Sequence, residues 1–182
     1  MQKKAIVFLT DGFEEAEALV TVDVLRRGGV DVITTSLTGS ATVTGSHDIT
    51  VTADALFDDA AIAYDAIILP GGPGTVNYYS HPRLPAYVKA AADNGALVAA
   101  ICAAPGFIGS LGLLNGRRAT CFPGFEDKLL GATVTGTPSE TDGNIITGKS
   151  AGCVFDFALT VLAYLNGDEA SDKVKASMYY NT

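Results

Sequence analysis

The sequence contains no tryptophan, only two histidines and only three cysteines. Cys102, Cys121 and Cys153 are odd in number and lack paired metal-type spacing, which argues against a disulfide scaffold or a zinc site and fits a reducing compartment. Basic residues are also scarce: 12 Lys and Arg stand against 20 Asp and Glu, for a formal net charge of -8. With no basic stripe, the chain repels nucleic acid and anionic membrane surfaces, so neither is an expected partner. No apolar run approaches the roughly 18 residues that a membrane span needs. The stretch after Lys3 and Lys4 is too short for a secretory signal, because it meets Asp11 and Gly12 at once. A cytoplasmic protein is expected.

What is present is an alternation of strand-like and helix-like segments in 182 residues, enough for one domain over 1–182 with a substantial core. Strands are expected at 4–9, 30–36 and 66–69, with a helix over 14–27 after the first and another over 84–93 after the third. A period-two polar stretch over 41–52 reads as a half-exposed hairpin, an insertion at the sheet edge. Beyond it come a short strand at 118–120, a helical 125–130, weak strands around Val134 and at 144–147, and helices over 154–165 and 168–177. This βα alternation implies a doubly wound α/β sandwich, a mostly parallel sheet with helices on both faces.

The sharpest signal is the apolar run ALVAAICAAPG at 96–106. It reads as a buried strand turning abruptly into a helix, with Pro105 suited to the first helical turn. Cys102 sits at the apex, and the small Ala103 and Ala104 let backbone amides approach a reacting oxygen. A helix N-terminus favours an anion, so a stabilised thiolate nucleophile is expected, although cysteine is also a common small core residue.

In such folds ligands gather beyond the carboxyl ends of the strands. Three loops qualify. At 11–17, a glycine turn precedes Glu14, Glu15 and Glu17; acidic residues complement a helix start, and a carboxylate there could also face the thiol. At 69–75, LPGGPGT lacks the lysine of a phosphate-binding loop. It serves better as an oxyanion hole, with the N–H groups of Gly71 and Gly72 as donors, or as a simple tight turn. At 147–153 the loop before the penultimate helix is expected to be structural, with Cys153 a secondary thiol candidate.

Taken together, GFEEAE at 12–17, LPGG at 69–72, AAICAAP at 99–105 and FDFAL at 155–159 resemble the DJ-1/ThiJ/PfpI superfamily, in the branch of the parkinsonism-linked protein deglycase. The resemblance runs from Lys3 to about Lys175. It implies a flavodoxin-like sandwich, a homodimer, and a reactive cysteine at Cys102 hydrogen-bonded to a protonated carboxyl at Glu17. It maps the oxyanion amides to Gly72 and Ala103. A carboxyl kept neutral beside a thiolate needs its pKa raised by burial and by the neighbouring charge.

The chain departs from the superfamily at one point. Many members supply a histidine beside the cysteine, whereas Ala103 and Phe122 occupy those positions here. Of the two histidines, His47 matches a family arginine that approaches the site from the partner subunit and is a further catalytic candidate; His81 starts a segment before Pro82. Without a histidine base, amide hydrolysis loses its proton donor, while aldehyde chemistry asks for less. The expected activity is that of a glyoxalase or deglycase-like enzyme using no cofactor and no metal, acting on α-oxoaldehydes such as methylglyoxal and glyoxal or their early adducts. Redox sensing through a Cys102 sulfinate and a non-catalytic dimeric scaffold are the alternatives. A thiazole-biosynthetic role lacks any phosphate-recognising cationic cluster.

Overall fold

The computed structural model describes residues 1–57 and 64–180. Its central sheet has seven strands: β1 (Lys4–Leu9), β2 (Asp31–Ser36), β5 (Ala55–Leu56), β6 (Ala66–Leu69), β7 (Leu97–Ile101), β10 (Ser139–Asp142) and β11 (Ile145–Gly148). They lie in the order β10-β11-β7-β6-β1-β2-β5, all neighbours parallel except β10 and β11. The mixed α/β architecture expected from the alternation is therefore present. Two small sheets flank it: a hairpin of β3 (Thr42–Thr44) and β4 (Thr50–Thr52), and a parallel pair of β8 (Arg118–Ala119) and β9 (Thr133–Val134).

Side-chain alternation along β1 divides the core. Ala5, Val7 and Leu9 face one layer with α1 (Glu15–Arg27), α5 (Val154–Asn166) and α6 (Asp168–Ser177). Ile6 and Phe8 face the other, with α2 (Val76–Ser80), α3 (Leu84–Asp93) and α4 (Ala104–Ser110). The central strands β6 and β7 are buried along their whole length, as parallel strands covered on both faces must be. Each fully buried Ile, Leu or Val side chain there contributes about 1.5–3 kcal/mol. Among the described residues no helix is long and apolar enough to cross a membrane.

Three local expectations change. The helical 125–130 is a single 3-10 turn, Glu126–Lys128, because the flanking Gly124 and Gly131 both take positive φ and stop its extension. The edge strands β5 and β10 and the five-residue α2 were not expected. Two residues, or a polar run of SETD, carry no usable hydrophobic period.

Candidate active site

β1, β6 and β7 end side by side, and their loops are laced together by backbone hydrogen bonds. The Glu14 N–H donates to Gly71 O at 3.0 Å, and the Gly74 N–H donates to Gly12 O at 2.8 Å. Glycine is required where these loops cross. A Cβ on Gly72, whose φ is 95°, would lie 2.6 Å from Glu14 N. The loops thus hold the opening of α1 against the end of β7.

Cys102 follows β7 directly and has a φ of 66°, a left-handed conformation that a non-glycine residue rarely adopts. Such backbone costs on the order of 1–3 kcal/mol and persists only where its surroundings fix it. The fixing contacts are present: the Cys102 N–H donates to Gly148 O at 2.9 Å, and Cys102 O accepts the Phe122 N–H at 2.9 Å. The loop expected to be structural, at 147–153, therefore serves as the brace of the elbow. α4 begins two residues later with Pro105 in its first turn.

Glu17 comes from the first turn of α1, whose N-cap Glu14 accepts the Glu17 N–H at 2.7 Å. Its side chain is fully buried and points at Cys102. Oε2 accepts the Gly71 N–H at 2.7 Å, while Oε1 has no conventional hydrogen bond. The carboxyl also meets the Cys102 thiol. Burial pushes the Glu17 carboxyl up to about 7, against the opposing effects of Cys102 and the Gly71 amide. Burial, followed by the charge of an ionised Glu17, pushes the Cys102 thiol up to about 12.

Two expectations are corrected here. A thiolate favoured by a helix N-terminus is not what the surroundings produce. The Gly72 and Ala103 N–H groups do point at the sulfur and lower its pKa, but burial and the carboxyl outweigh them. The two groups form one proton-sharing pair. Gly71 is also not a free oxyanion donor, since its N–H is engaged by Glu17; Gly72 and Ala103 are the amides that face the sulfur.

His47 of this chain comes near the site. It lies at the rim of the cleft in front of Cys102, but Nδ1 pairs with Glu15 Oε2 at 2.8 Å and the backbone N–H donates to Glu15 Oε1 at 2.6 Å. Those hydrogen bonds hold the Glu15 carboxyl down to about 2 despite its burial, and the same contact raises the His47 imidazole. His81 instead accepts the Leu84 N–H at Nδ1, 3.1 Å away, at the start of α3. Ligand atoms of Glu14, Glu15 and His47 fall within 4.8 Å of one another, yet the Glu15–His47 pair and the Glu14 cap account for that grouping. Of the other thiols, Cys121 is buried and Cys153 half-buried near Ser150.

Phe122 also lines the cleft, 43% exposed. With Tyr79, Val76 and Phe125 it forms an apolar wall that the sequence reading had noted only as a missing histidine.

The DJ-1/PfpI family model matches residues 3–164. The chain is 38% identical to protein DJ-1 homolog B of Arabidopsis thaliana over 180 residues, covering 97% of this chain but only 41% of that relative. It is 33% identical to the glutathione-independent glyoxalase DJR-1.2 of Caenorhabditis elegans, covering 95% of this chain and 94% of that one. The crystal structure of a cysteine-to-alanine mutant of a DJ-1 superfamily protein from Salmonella typhimurium superposes with a TM-score of 0.94 at 39% identity, over 98% of this chain and 99% of that chain. The match includes the whole cysteine-bearing elbow, the glutamate helix and the glycine loop, and the chain belongs to the DJ-1/PfpI family.

Proposed function

We propose that the protein is a cysteine-dependent enzyme of the glyoxalase or deglycase type, converting α-oxoaldehydes or their early adducts to 2-hydroxy acids without a cofactor. The observation that carries this reading is the buried Glu17 carboxyl, poised at about 7, against the Cys102 thiol. A base titrating near neutrality is suited to moving protons at physiological pH. The glyoxalase name of the Caenorhabditis relative supports the same chemistry.

Glu17 as carboxylate takes the Cys102 proton while the sulfur adds to the aldehyde carbon, and the new oxyanion lies toward the Gly72 and Ala103 amides. Glu17 returns that proton to the oxygen, giving a hemithioacetal. It then removes the hydrogen from the former aldehyde carbon and delivers it to the adjacent carbonyl carbon. As the hydroxyl proton on the first carbon passes to the oxygen of the second, the first carbon is oxidised to a thioester and the second reduced to an alcohol, with no external electron carrier. Water cleaves the thioester, releasing the hydroxy acid and restoring the thiol. Methylglyoxal plus water gives lactate.

The test is product formation: freshly reduced protein, without glutathione or added metal, converts methylglyoxal to lactate detected by proton NMR. Absence of lactate above the buffer rate overturns the reading. A second reading, oxidation sensing, is favoured by the placement of the half-buried Cys102 on the cleft. It requires that mild peroxide add oxygen to Cys102 selectively, as read by mass spectrometry; an unmodified Cys102 excludes it.

A further inference from the structure

The cleft in front of Cys102 has a volume of about 770 Å³, on the scale that buries a drug-sized ligand and far larger than a three-carbon aldehyde requires. Its lining is mixed: Glu14, Ser46, His47 and Lys128 are polar, while Val76, Tyr79, Phe122 and Phe125 make an apolar wall. Val76, Tyr79 and Phe122 are 67%, 45% and 43% exposed, a concentration of solvent-facing apolar surface on the same cleft as the half-buried Cys102. The rings on this wall are held in place. Phe122 meets Phe125 edge-on at 6.2 Å, Tyr79 meets Phe107 edge-on at 5.3 Å, and the Lys128 ammonium lies 4.4 Å from the centre of the Phe125 ring. The backbone of Phe122 is tied to the elbow itself through Cys102 O, which anchors the base of this side chain beside the cysteine.

We propose that this wall selects uncharged aryl-substituted α-oxoaldehydes, with the aromatic group lying against Phe122 and Tyr79 while the aldehyde carbon meets Cys102. Aromatic pairs favour offset or edge contacts worth about 0.5–1.5 kcal/mol beyond the area they bury. A ligand ring entering here removes exposed Phe122 and Tyr79 surface from water. A polar side chain at position 122 would leave this surface discontinuous, so Phe122 is the specificity-determining residue. For phenylglyoxal the chemistry is that already proposed: thiol addition, hydrogen transfer from the aldehyde carbon to the ketone carbon, and thioester hydrolysis, so that phenylglyoxal plus water gives mandelate.

This inference rests on the proposed aldehyde chemistry, and its test separates the two. The kcat/KM ratio of phenylglyoxal to methylglyoxal is measured for the wild type and Phe122→Ser. The expected result is a fall in that ratio of about tenfold, equal to roughly 1.4 kcal/mol, with alkylation of Cys102 by iodoacetamide unchanged; an unchanged ratio overturns the inference. Phe122 is exposed enough that its replacement leaves the core intact. The independent readout is saturation-transfer NMR with acetophenone, an aryl ketone lacking the aldehyde. Transfer to its ring protons in the wild type and loss in Phe122→Ser supports the aryl site even if neither aldehyde is turned over, an outcome that would overturn the enzymatic reading alone. No transfer in the wild type, or equal transfer in both proteins, overturns the aryl site.

Discussion

The backbone N–H of Gly71 donates to Glu17 Oε2 at 2.7 Å, so the residue that sequence reasoning assigned to an oxyanion holds the carboxyl instead. Gly71 has no room for a side chain: a Cβ would lie 2.6 Å from both Cys102 Cβ and Glu17 Oε2. Gly71→Ala is expected to displace the carboxyl from the thiol, with a loss of activity of about 100-fold or more, the scale of misplaced catalytic groups. Steady-state kinetics on a variant whose circular dichroism remains native checks this; a fall under about threefold would mean that the close approach is not needed.

The pH profile follows from the pair. With Glu17 as the base, kcat/KM is expected to drop about tenfold per unit below pH 7 and to level off above it, because protonating Glu17 removes the acceptor. Glu17→Gln should abolish that limb together with most of the activity. A wild-type profile flat between pH 5.5 and about 8 would contradict the assignment.

Glu17 also affects stability, and the sign is opposite to that of an ordinary carboxylate. At pH values below its ordinary 4.5 the group is neutral in both folded and unfolded chains. Between 4.5 and about 7 only the unfolded chain ionises, so folding stability falls as pH rises, and above about 7 the loss is complete. The upper limit is about 3 kcal/mol. Glu17→Gln should therefore be the more stable protein in urea at pH 8 and no more stable than wild type near pH 4.5. Equal midpoints at both pH values would show that burial of this carboxyl has no cost.

Glu15 behaves in the reverse sense. Its carboxyl, held down to about 2 chiefly by its hydrogen bonds to His47 against the effect of burial, contributes stability above 4.5 that is lost as pH falls toward 2. The same pair raises His47. Proton NMR of the His47 ring should show titration above the ordinary 6.5 in the wild type and a return toward 6.5 in Glu15→Gln. An identical midpoint in both proteins would rule out the pair as the cause.

The parts of this architecture that were legible in the sequence share one property, a strong hydrophobic period or a punctuating residue. β6 is AIIL and β7 is LVAAI, continuous buried runs that announce central parallel strands; Pro105 marked the first turn of α4. Cys102 was legible as a candidate because it stands just past a strand end, whereas Glu17 was separated from Glu14 and Glu15 only by the resemblance to the superfamily. The amides that face the sulfur, those of Gly72 and Ala103, came from the resemblance alone; the loop's own sequence offered Gly71 equally, since the choice depends on the positive φ of Gly72 and the crossing of two loops distant in sequence. The direction of the thiol's shift was not legible. A helix start predicts stabilisation of the anion, while the burial and the Glu17 charge that outweigh it exist only in the folded packing. The apolar wall was hidden for a similar reason: Tyr79 lies in a five-residue helix after Pro73 whose length gives no period, far in sequence from Phe122.

The central claim is that Cys102 and Glu17 act as one catalytic pair, and methylglyoxal consumption by freshly reduced wild type, Cys102→Ala and Glu17→Gln, without glutathione or metal, tests it most directly. The predicted result is turnover in the wild type that vanishes in the cysteine variant and falls by about 100-fold or more in the glutamate variant. Turnover that survives either substitution near the wild-type rate would contradict the pair, and a wild type no faster than buffer would contradict the enzyme.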